Sequence, residues 1–351
     1  MVSIALVTPW GKNIRCGIKT YCEKLAHALA QQGVDVYIVR LPRFGFKSAA
    51  IIRDVAERIP YKDVDLVHVS HEYGLYQNFD KTFFLTLKAA GKPIVTTMHA
   101  VGKWDVDPGI AAVSSKVIVH NQFCRRRFHF PNTVIIPHGA ELIDIPDVKT
   151  AKKALGIATG VPVVGYLGFI SSYKGLETLI KAMVKVEKAG LLIAGGWHVK
   201  EETQYIDGLR QFSNVLGERV KWLGYVPDEQ MKITYAAMDI GVYPSRFATE
   251  SGALITALSH GKAVIASRLS PFVEKEKEGA LITFKDVVDL RRKIRRLLRK
   301  PELRHQLEEG AKQYVKNTSW RNIALQHIAL YKSLLGSPRH NSGDSAEVLK
   351  A

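Results

Sequence analysis

Short apolar runs alternate with amphipathic helical segments along almost the whole chain, and this alternation constrains the fold more than any other feature. In the first half, the runs predicted as strands are Val2–Val7, Val34–Val39, Leu66–Val69, Ile94–Thr97, Val117–Val119 and Val134–Ile136. Predicted helices lie between most of them, at 18–32, 48–58, 81–90 and 122–127. Strands that are apolar throughout are typical of a parallel sheet covered on both faces. The first half therefore predicts a doubly wound, Rossmann-like α/β domain.

The same rhythm restarts after a polar stretch that follows Pro146, so the chain of 351 residues predicts two Rossmann-like domains facing across a cleft. We place the first domain at residues 1–150 and the second at 151–319. Predicted strands of the second domain are 161–167, 191–194, 220–223, 240–243 and 263–266. A long helix at 320–336 follows it, and the polar residues 337–351 are predicted to be a disordered tail.

The amino-acid composition indicates the cellular location of the protein and the chemical class of its partners. Three cysteines without a paired spacing predict a reducing, cytoplasmic location and no structural zinc. No apolar window approaches the roughly 18 residues that span a membrane. A net charge of +17 favours an acidic partner, such as a phosphorylated substrate, an anionic membrane surface or a nucleic acid. Because no nucleic-acid-binding motif is present, we expect no nucleic acid partner.

Two basic segments leave alternatives open. The predicted helix 287–300 holds seven Lys and Arg residues after Leu290 and no acid there, while Leu290, Ile294 and Leu297 define an apolar face. The basic side is either a solvated surface or a membrane-surface helix. The segment 120–130 mixes basic and aromatic residues, which suits either an anionic lipid surface at the inner membrane or an ordinary helix end.

The loops that follow strands should carry the chemistry, because ligands of such sheets bind at the carboxyl ends of the strands. The stretch 239–266 is the most informative: a buried strand, a turn with Arg246 and Glu250, and then Ser251 and Gly252 at the start of a helix. Free backbone N–H groups and the helix dipole make such a junction an anion site. An ordinary βα connection is the alternative.

Other loops carry further candidates. Gly17 opens the first helix, and Gly168 and Lys174 follow the strand 161–167, where the lysine could neutralise a phosphate. His99 follows the strand 94–97 and could bond a sugar hydroxyl. Two further sets complete the candidates: His71, Glu72 and Tyr73 as acceptor-binding residues, and Trp197 and His198 as residues that contact the base of a ligand. For His138 and Gly139 we favour a structural role.

Taken together and in order, these segments resemble a known family. LGFISSYKGLETLIKAM and YPSRFATESGALITALSHGKAVIAS are similar to the second-domain signature of retaining glycosyltransferases with the GT-B fold, family four, also called glycosyl transferases group one. RCGIKTYCEKLAHAL, HVSHEYGLY, TTMHAV and VIIPHGAE resemble segments of its first domain. The resemblance covers about Val2 to Leu335. It implies that the last helix crosses back onto the first domain.

The resemblance also implies roles for named residues. A nucleotide-sugar donor, such as a UDP- or GDP-hexose, would lie in the second domain and meet a glycan or lipid-linked acceptor from the first. Lys174 and the backbone amides of Ser251, Gly252 and Ala253 would bind the donor's diphosphate. Glu250 would contact the donor sugar and His99 would lie near the transferred sugar. Transfer would retain the anomeric configuration and need neither a cofactor nor a metal.

Two positions depart from the family pattern. Where many members carry a second glutamate for the ribose, this chain has Thr256, and the arginine common after the first strand of the second domain is absent. Arg246 is our hypothesis for its substitute. The missing glutamate motivates an alternative function, a catalytically inactive sugar-nucleotide-binding or scaffold protein.

Overall fold

A computed structural model describes residues 1–11, 14, 16–42, 45–103, 105–196 and 202–336. Its first half contains a six-stranded sheet in which every pairing is parallel, with the order β2-β1-β3-β4-β5-β6. The strands are β1 (Val2–Thr8), β2 (Val34–Arg40), β3 (Leu66–His71), β4 (Ile94–Met98), β5 (Lys116–Val119) and β6 (Thr133–Ile135). The helices are α1 (Gly17–Gln31), α2 (Ala49–Glu57), α3 (Tyr73–Tyr76), α4 (Asp80–Ala89), α5 (Asp107–Val113) and α6 (Gln122–Arg127).

The second half repeats this architecture with a parallel six-stranded sheet of order β12-β11-β10-β7-β8-β9. Its strands are β7 (Val163–Leu167), β8 (Gly190–Ala194), β9 (Val220–Gly224), β10 (Ile240–Tyr243), β11 (Val264–Ser267) and β12 (Ile282–Phe284). Its helices are α7 (Val148–Ala154), α8 (Leu176–Val184), α9 (Glu202–Ser213), α10 (Asp228–Ala236), α11 (Gly252–Ser259), α12 (Ser270–Lys277), α13 (Val287–Arg299), α14 (Pro301–Asn317) and α15 (Trp320–Leu335). The predicted doubly wound fold class is confirmed.

The last helix, α15, belongs to the core of the first half. Its Ile323, Ala324 and Tyr331 are buried in one apolar cluster with Leu25 of α1 and Ile4 of β1. Burial of a side chain of the size of Ile323 stabilises the docked helix by roughly 1.5–3 kcal/mol. The predicted crossover is therefore present, and α15 ties the second half of the chain to the first.

The sequence analysis missed β12 and the helices α3, α5, α7, α12 and α14. Three of these helices have a proline at their start: Pro108 in α5, Pro271 in α12 and Pro301 in α14. Proline fits the first helical turn because its missing N–H would have no partner there and its φ is already helical. The prolines were thus a usable start signal. The stretch after Pro146, interpreted as a polar boundary, holds α7, whose N-terminus Asp147 caps through Lys149 N and Thr150 N.

Candidate functional site

The two sheets meet through the loops at the carboxyl ends of their strands. Thr249 lies at the centre of this contact: its Oγ1 donates to the carbonyl of His99 at 3.1 Å, and its own carbonyl accepts from Asn121 Nδ2 at 2.7 Å. Glu274 of α12 reaches across as well and accepts from the backbone N–H groups of Gln122 and Phe123 at the start of α6. The residues that follow β4 and β5 therefore face the residues that follow β10.

In the second sheet, β7 and β10 are neighbours, and the chain leaves them in opposite directions, from β7 to β8 and from β10 to β11. This switch point is where open α/β sheets form a crevice at their carboxyl edge. The loops after β7 and β10 are in contact there: Arg246 N donates to the Tyr173 carbonyl at 2.7 Å. A methyl group on Gly168 would lie 2.8 Å from Ala253 Cβ, so glycine is required for this approach to α11.

Lys174 and Arg246 lie on the two loops that border this crevice. Lys174 ends a 3-10 turn, Ser172–Lys174, with its Nζ 4.5 Å from the centre of the Tyr173 ring. Arg246 is exposed and forms an ion pair of 3.1 Å with Glu177 of α8. The loops thus bring the two predicted cations to the same edge as the start of α11.

The start of α11 keeps its first amides available. Ser251 caps the helix by accepting from Leu254 N at 3.3 Å, and Ser251 N itself donates to Glu250 Oε1 at 2.8 Å. The N–H groups of Gly252 and Ala253 have no intrahelical acceptor, as expected for the first turn of any helix. The predicted anion-binding geometry of a strand, a small-residue loop and a helix start is therefore present.

Glu250 is buried in an ion pair rather than open to the crevice. Its side chain is 6% exposed, and Oε2 lies 2.7 Å from Nζ of Lys275, which is 4% exposed. Burial alone would raise the pKa of Glu250, but Lys275 overcomes it and lowers the pKa, so the carboxylate stays ionised. With Asn121 also 3.5 Å from Oε2, this geometry fits a residue that positions the loop before α11. Its predicted contact with the donor sugar stays a prediction.

Three histidines of the first half gather around the Tyr21 ring, which lies 4.8 Å from the ring of His99, 5.3 Å from that of His120 and 5.0 Å from that of His138. Burial lowers the pKa of each, that of His120 to about 4, so the cluster is neutral at pH 7. A neutral histidine ring has one nitrogen that donates a hydrogen bond and one that accepts. The partners of each ring therefore show which nitrogen carries the hydrogen.

Both nitrogens of His99 are engaged within the protein. His120 Nδ1 lies 3.1 Å from the Ile136 carbonyl, which can only accept, so the neutral His120 ring presents Nε2 as an acceptor. His99 Nδ1 lies 3.5 Å from this Nε2, and His99 Nε2 lies 2.8 Å from Ser70 Oγ. The predicted bond from His99 to a sugar stays a prediction, and it requires one of these partners to be exchanged.

The predicted acceptor-binding loop has structural partners. His71 is fully buried at the end of β3, with Nε2 2.5 Å from Asp80 Oδ1 and its ring stacked on Tyr76. Glu72 accepts from Gly74 N as the cap of α3. Tyr73 donates to Asp107 Oδ1 at 2.5 Å. His71 lies in the core of the first half because β3 extends through residue 71. The predicted contact of these residues with an acceptor stays a prediction.

The remaining candidates are placed as follows. Gly17 is the first residue of α1 and faces open space. Trp197 and His198 lie outside the described residues. The end of α6 and the residues after it line a surface pocket of about 350 Å³ with Arg125, Arg126, His129 and Phe130. On α13, the predicted apolar face is confirmed, since Leu290, Ile294 and Leu297 are buried. Every helix in the described ranges is too short or too polar to cross a bilayer.

Comparison with known proteins was made for both sequence and fold. Residues 147–314 match the family model described as Glycosyl transferases group 1. D-inositol 3-phosphate glycosyltransferase of Corynebacterium urealyticum is 28% identical over 216 residues, covering 56% of this chain and 50% of that protein. A protein of Methanocaldococcus jannaschii described as an uncharacterized glycosyltransferase is 23% identical over 317 residues, covering 86% of this chain and 76% of that protein. The chain spans about half the length of the first two curated relatives that it matches.

Solved structures agree on the fold. Sucrose-phosphate synthase from Thermosynechococcus elongatus superposes with a TM-score of 0.76 at 23% identity, covering 96% of this chain and 100% of that chain. Anabaena HepE, solved in complex with UDP-glucose, superposes with a TM-score of 0.76 at 18% identity, covering 95% and 100%. The predicted GT-B fold is thereby confirmed.

Proposed function

We propose that this chain, whose residues 147–314 belong to the glycosyl transferases group 1 family, moves a hexosyl group from a nucleotide-sugar to an acceptor hydroxyl. The observation that carries the proposal is the convergence of Lys174, Arg246 and the first amides of α11 at the switch point of the second sheet. We also propose that the reaction retains the anomeric configuration and needs no metal, and that the protein is cytoplasmic.

The chemistry that this site would supply is stabilisation of a departing diphosphate. Negative charge develops on the leaving group as the glycosyl bond breaks, and fixed cations and N–H groups lower the barrier without reorganising. Lys174 supplies a full charge, and Gly252 and Ala253 supply amides at the positive end of the α11 dipole. Thr249 and Glu274, which join the two halves, would keep water from the donor once it is bound.

The first test compares donor use by the wild type and by Lys174→Ala. A panel of UDP-, GDP- and ADP-sugars is screened by thermal shift, because a ligand that binds only the folded state raises its stability. With the best donor, we expect Lys174→Ala to lower turnover by roughly 10²–10³, the effect of removing one such group. Lys181→Ala, on the exposed side of α8, is the matched control and should behave as the wild type.

Three outcomes would contradict parts of this proposal. If Arg246→Ala leaves donor affinity unchanged while Lys174→Ala abolishes it, Arg246 is not the substitute arginine. If an NMR time course shows an inverted anomeric product, retention is wrong. Activity that EDTA removes and a divalent cation restores would contradict metal independence.

The second candidate is a sugar-nucleotide-binding or scaffold protein without turnover. Thr256 favours it, because its hydroxyl donates to the Gly252 carbonyl at 2.8 Å and offers no carboxylate to a ribose. Donor binding without release of the nucleoside diphosphate, across varied glycan and lipid acceptors, would support this candidate over the enzyme.

We further propose that a lipid-linked acceptor is met at an anionic membrane surface. Arg292, Arg295, Arg296 and Arg299 are exposed on α13. Arg125 and Arg126 are exposed beside Phe130 at the end of α6. Exposed guanidinium groups with an aromatic neighbour suit anionic headgroups.

A further inference from the structure

We propose that His138 binds the diphosphate of the donor as an imidazolium, taking up its proton from solution when the donor binds. The inference rests on the proposed function and adds a diphosphate-binding residue for which the sequence alone had favoured a structural role. It concerns the loop after β6, which faces the start of α11 from the first half of the chain.

The tautomer of His138 follows from one hydrogen bond. Its Nδ1 lies 2.7 Å from the carbonyl oxygen of Gly139. A carbonyl can only accept, so Nδ1 carries the hydrogen, and in the neutral ring Nε2 is a bare lone pair. In the described part of the chain, Nε2 has no hydrogen-bond partner, in contrast to both nitrogens of His99.

This free nitrogen points to the proposed diphosphate site. A methyl group placed on Gly252 would lie 4.0 Å from His138 Nε2. Gly252 is the first residue of α11, where the free N–H groups would hold phosphate oxygens. The ring and the helix start therefore border the same space, one from each half of the chain.

A neutral His138 would repel the ligand that this space suits. A lone pair on Nε2 faces phosphate oxygens unfavourably, whereas a protonated Nε2 donates a charge-assisted hydrogen bond to them. Binding of the anion therefore favours the imidazolium and raises its pKa. In the free protein the His138 ring is neutral at pH 7, because burial lowers its pKa.

The other charged and titratable groups around the His138 ring do not keep it protonated. Tyr21 of α1 and His120 after β5 face it with neutral rings, and Trp320 of α15 contributes an indole. Glu250 from the second half raises the pKa of His138 and Lys275 lowers it. Because these two form one ion pair, their effects on His138 oppose each other, and the diphosphate is the group that would change its protonation.

The experiment is isothermal titration calorimetry with UDP-glucose, GDP-mannose and ADP-glucose in buffers of different ionisation enthalpy at pH 7. The diphosphate of a sugar nucleotide has no proton to exchange near this pH, so any uptake belongs to the protein. For the sugar nucleotide that binds, we expect uptake of up to one proton. Affinity should fall by up to about tenfold per pH unit between the pKa of His138 in the free protein and its pKa in the complex, and should level off above the latter.

His138→Gln separates this role from a structural one. Gln places an amide near the position of Nε2 but cannot be protonated, so we expect binding without proton uptake and with little pH dependence. His138→Asn is a second variant if His138→Gln unfolds, with far-ultraviolet circular dichroism as the check. His305→Gln, exposed on α14, is the matched control and should keep the uptake.

Three results would overturn the inference. The wild type could bind a sugar nucleotide without proton uptake, or both His138 variants could take up as many protons as the wild type. In either case donor binding survives and only His138 loses its role. If none of the three sugar nucleotides binds the wild type, the proposed function fails and this inference fails with it.

Discussion

The buried ion pair between Glu250 and Lys275 offers the sharpest test of how the site is held. The two side chains are 6% and 4% exposed, and their charged atoms are 2.7 Å apart. Replacing Lys275 by methionine keeps most of the volume but leaves Glu250 as a buried charge without its paired cation. Breaking a buried pair in this way costs about 3–5 kcal/mol. We therefore expect Lys275→Met to lower the free energy of unfolding by about that amount at pH 7.5.

A double variant shows whether the charge itself is the cause. In Glu250→Gln with Lys275→Met, neither side chain is charged, and the Gln oxygen can still accept from Ser251 N. Replacing both members of a buried pair by neutral residues is often close to neutral in stability. We expect the double variant to lie within about 1 kcal/mol of the wild type in urea unfolding. Its donor turnover should still be impaired, since Glu250 is part of the proposed site.

The surface pair Lys312–Glu309 is the matched control for Lys275→Met. Its charged atoms are also 2.7 Å apart, but its side chains are 44% and 54% exposed. Exposed pairs gain little because water screens them. Lys312→Met should therefore be indistinguishable from the wild type, which isolates burial as the variable.

The pH dependence of the stability of Lys275→Met provides the result that would refute this reasoning. In the wild type the pKa of Glu250 lies below its usual value, so its contribution is present above the unfolded pKa and is lost as the pH falls. In Lys275→Met, burial without the cation raises this pKa, so the stability deficit should shrink as the pH is lowered from 7.5 to 5. A deficit below about 1 kcal/mol, or one that does not change with pH, would refute a charge-based account.

Two further predictions concern the crossover helix and the membrane. Gly139→Ala would place a methyl group 2.3 Å from the Trp320 ring, so it should destabilise the docking of α15 by about 1–3 kcal/mol in urea unfolding. Gly109→Ala, in open space on α5, is its control, and equal stability of the two variants would contradict the prediction. The chain should co-sediment with anionic vesicles at low salt and be released at high salt. Arg292→Gln with Arg296→Gln should weaken this binding, and absence of binding at low salt would contradict membrane contact.

The fold class could be predicted from the sequence because parallel strands buried on both faces are apolar throughout. β7 and β8 show this, since they consist of apolar residues and glycine with a single tyrosine, Tyr166. The start of α11 was equally predictable, since Ser251 and Gly252 are a local cap and a local small residue. The prolines of α5, α12 and α14 are local signals of a helix start as well.

The roles of individual polar residues could not be predicted in the same way, because they depend on contacts between distant parts of the chain. Glu250 has its charge compensated by Lys275, on another helix, and Thr249 bonds to His99 across the two halves. His138 looked structural in its own loop, and only the approach of Gly252 gives its free nitrogen a possible ligand.

The sequence by itself determined the two doubly wound sheets, the existence of the long last helix and the loops that carry cations and free amides. These features follow from the periodicity and chemistry of neighbouring residues, which act over one strand or one helical turn. Tertiary structure decided which polar groups are paired and which remain free, because a proton or a charge is stabilised by atoms within a few ångströms, whatever their distance along the chain.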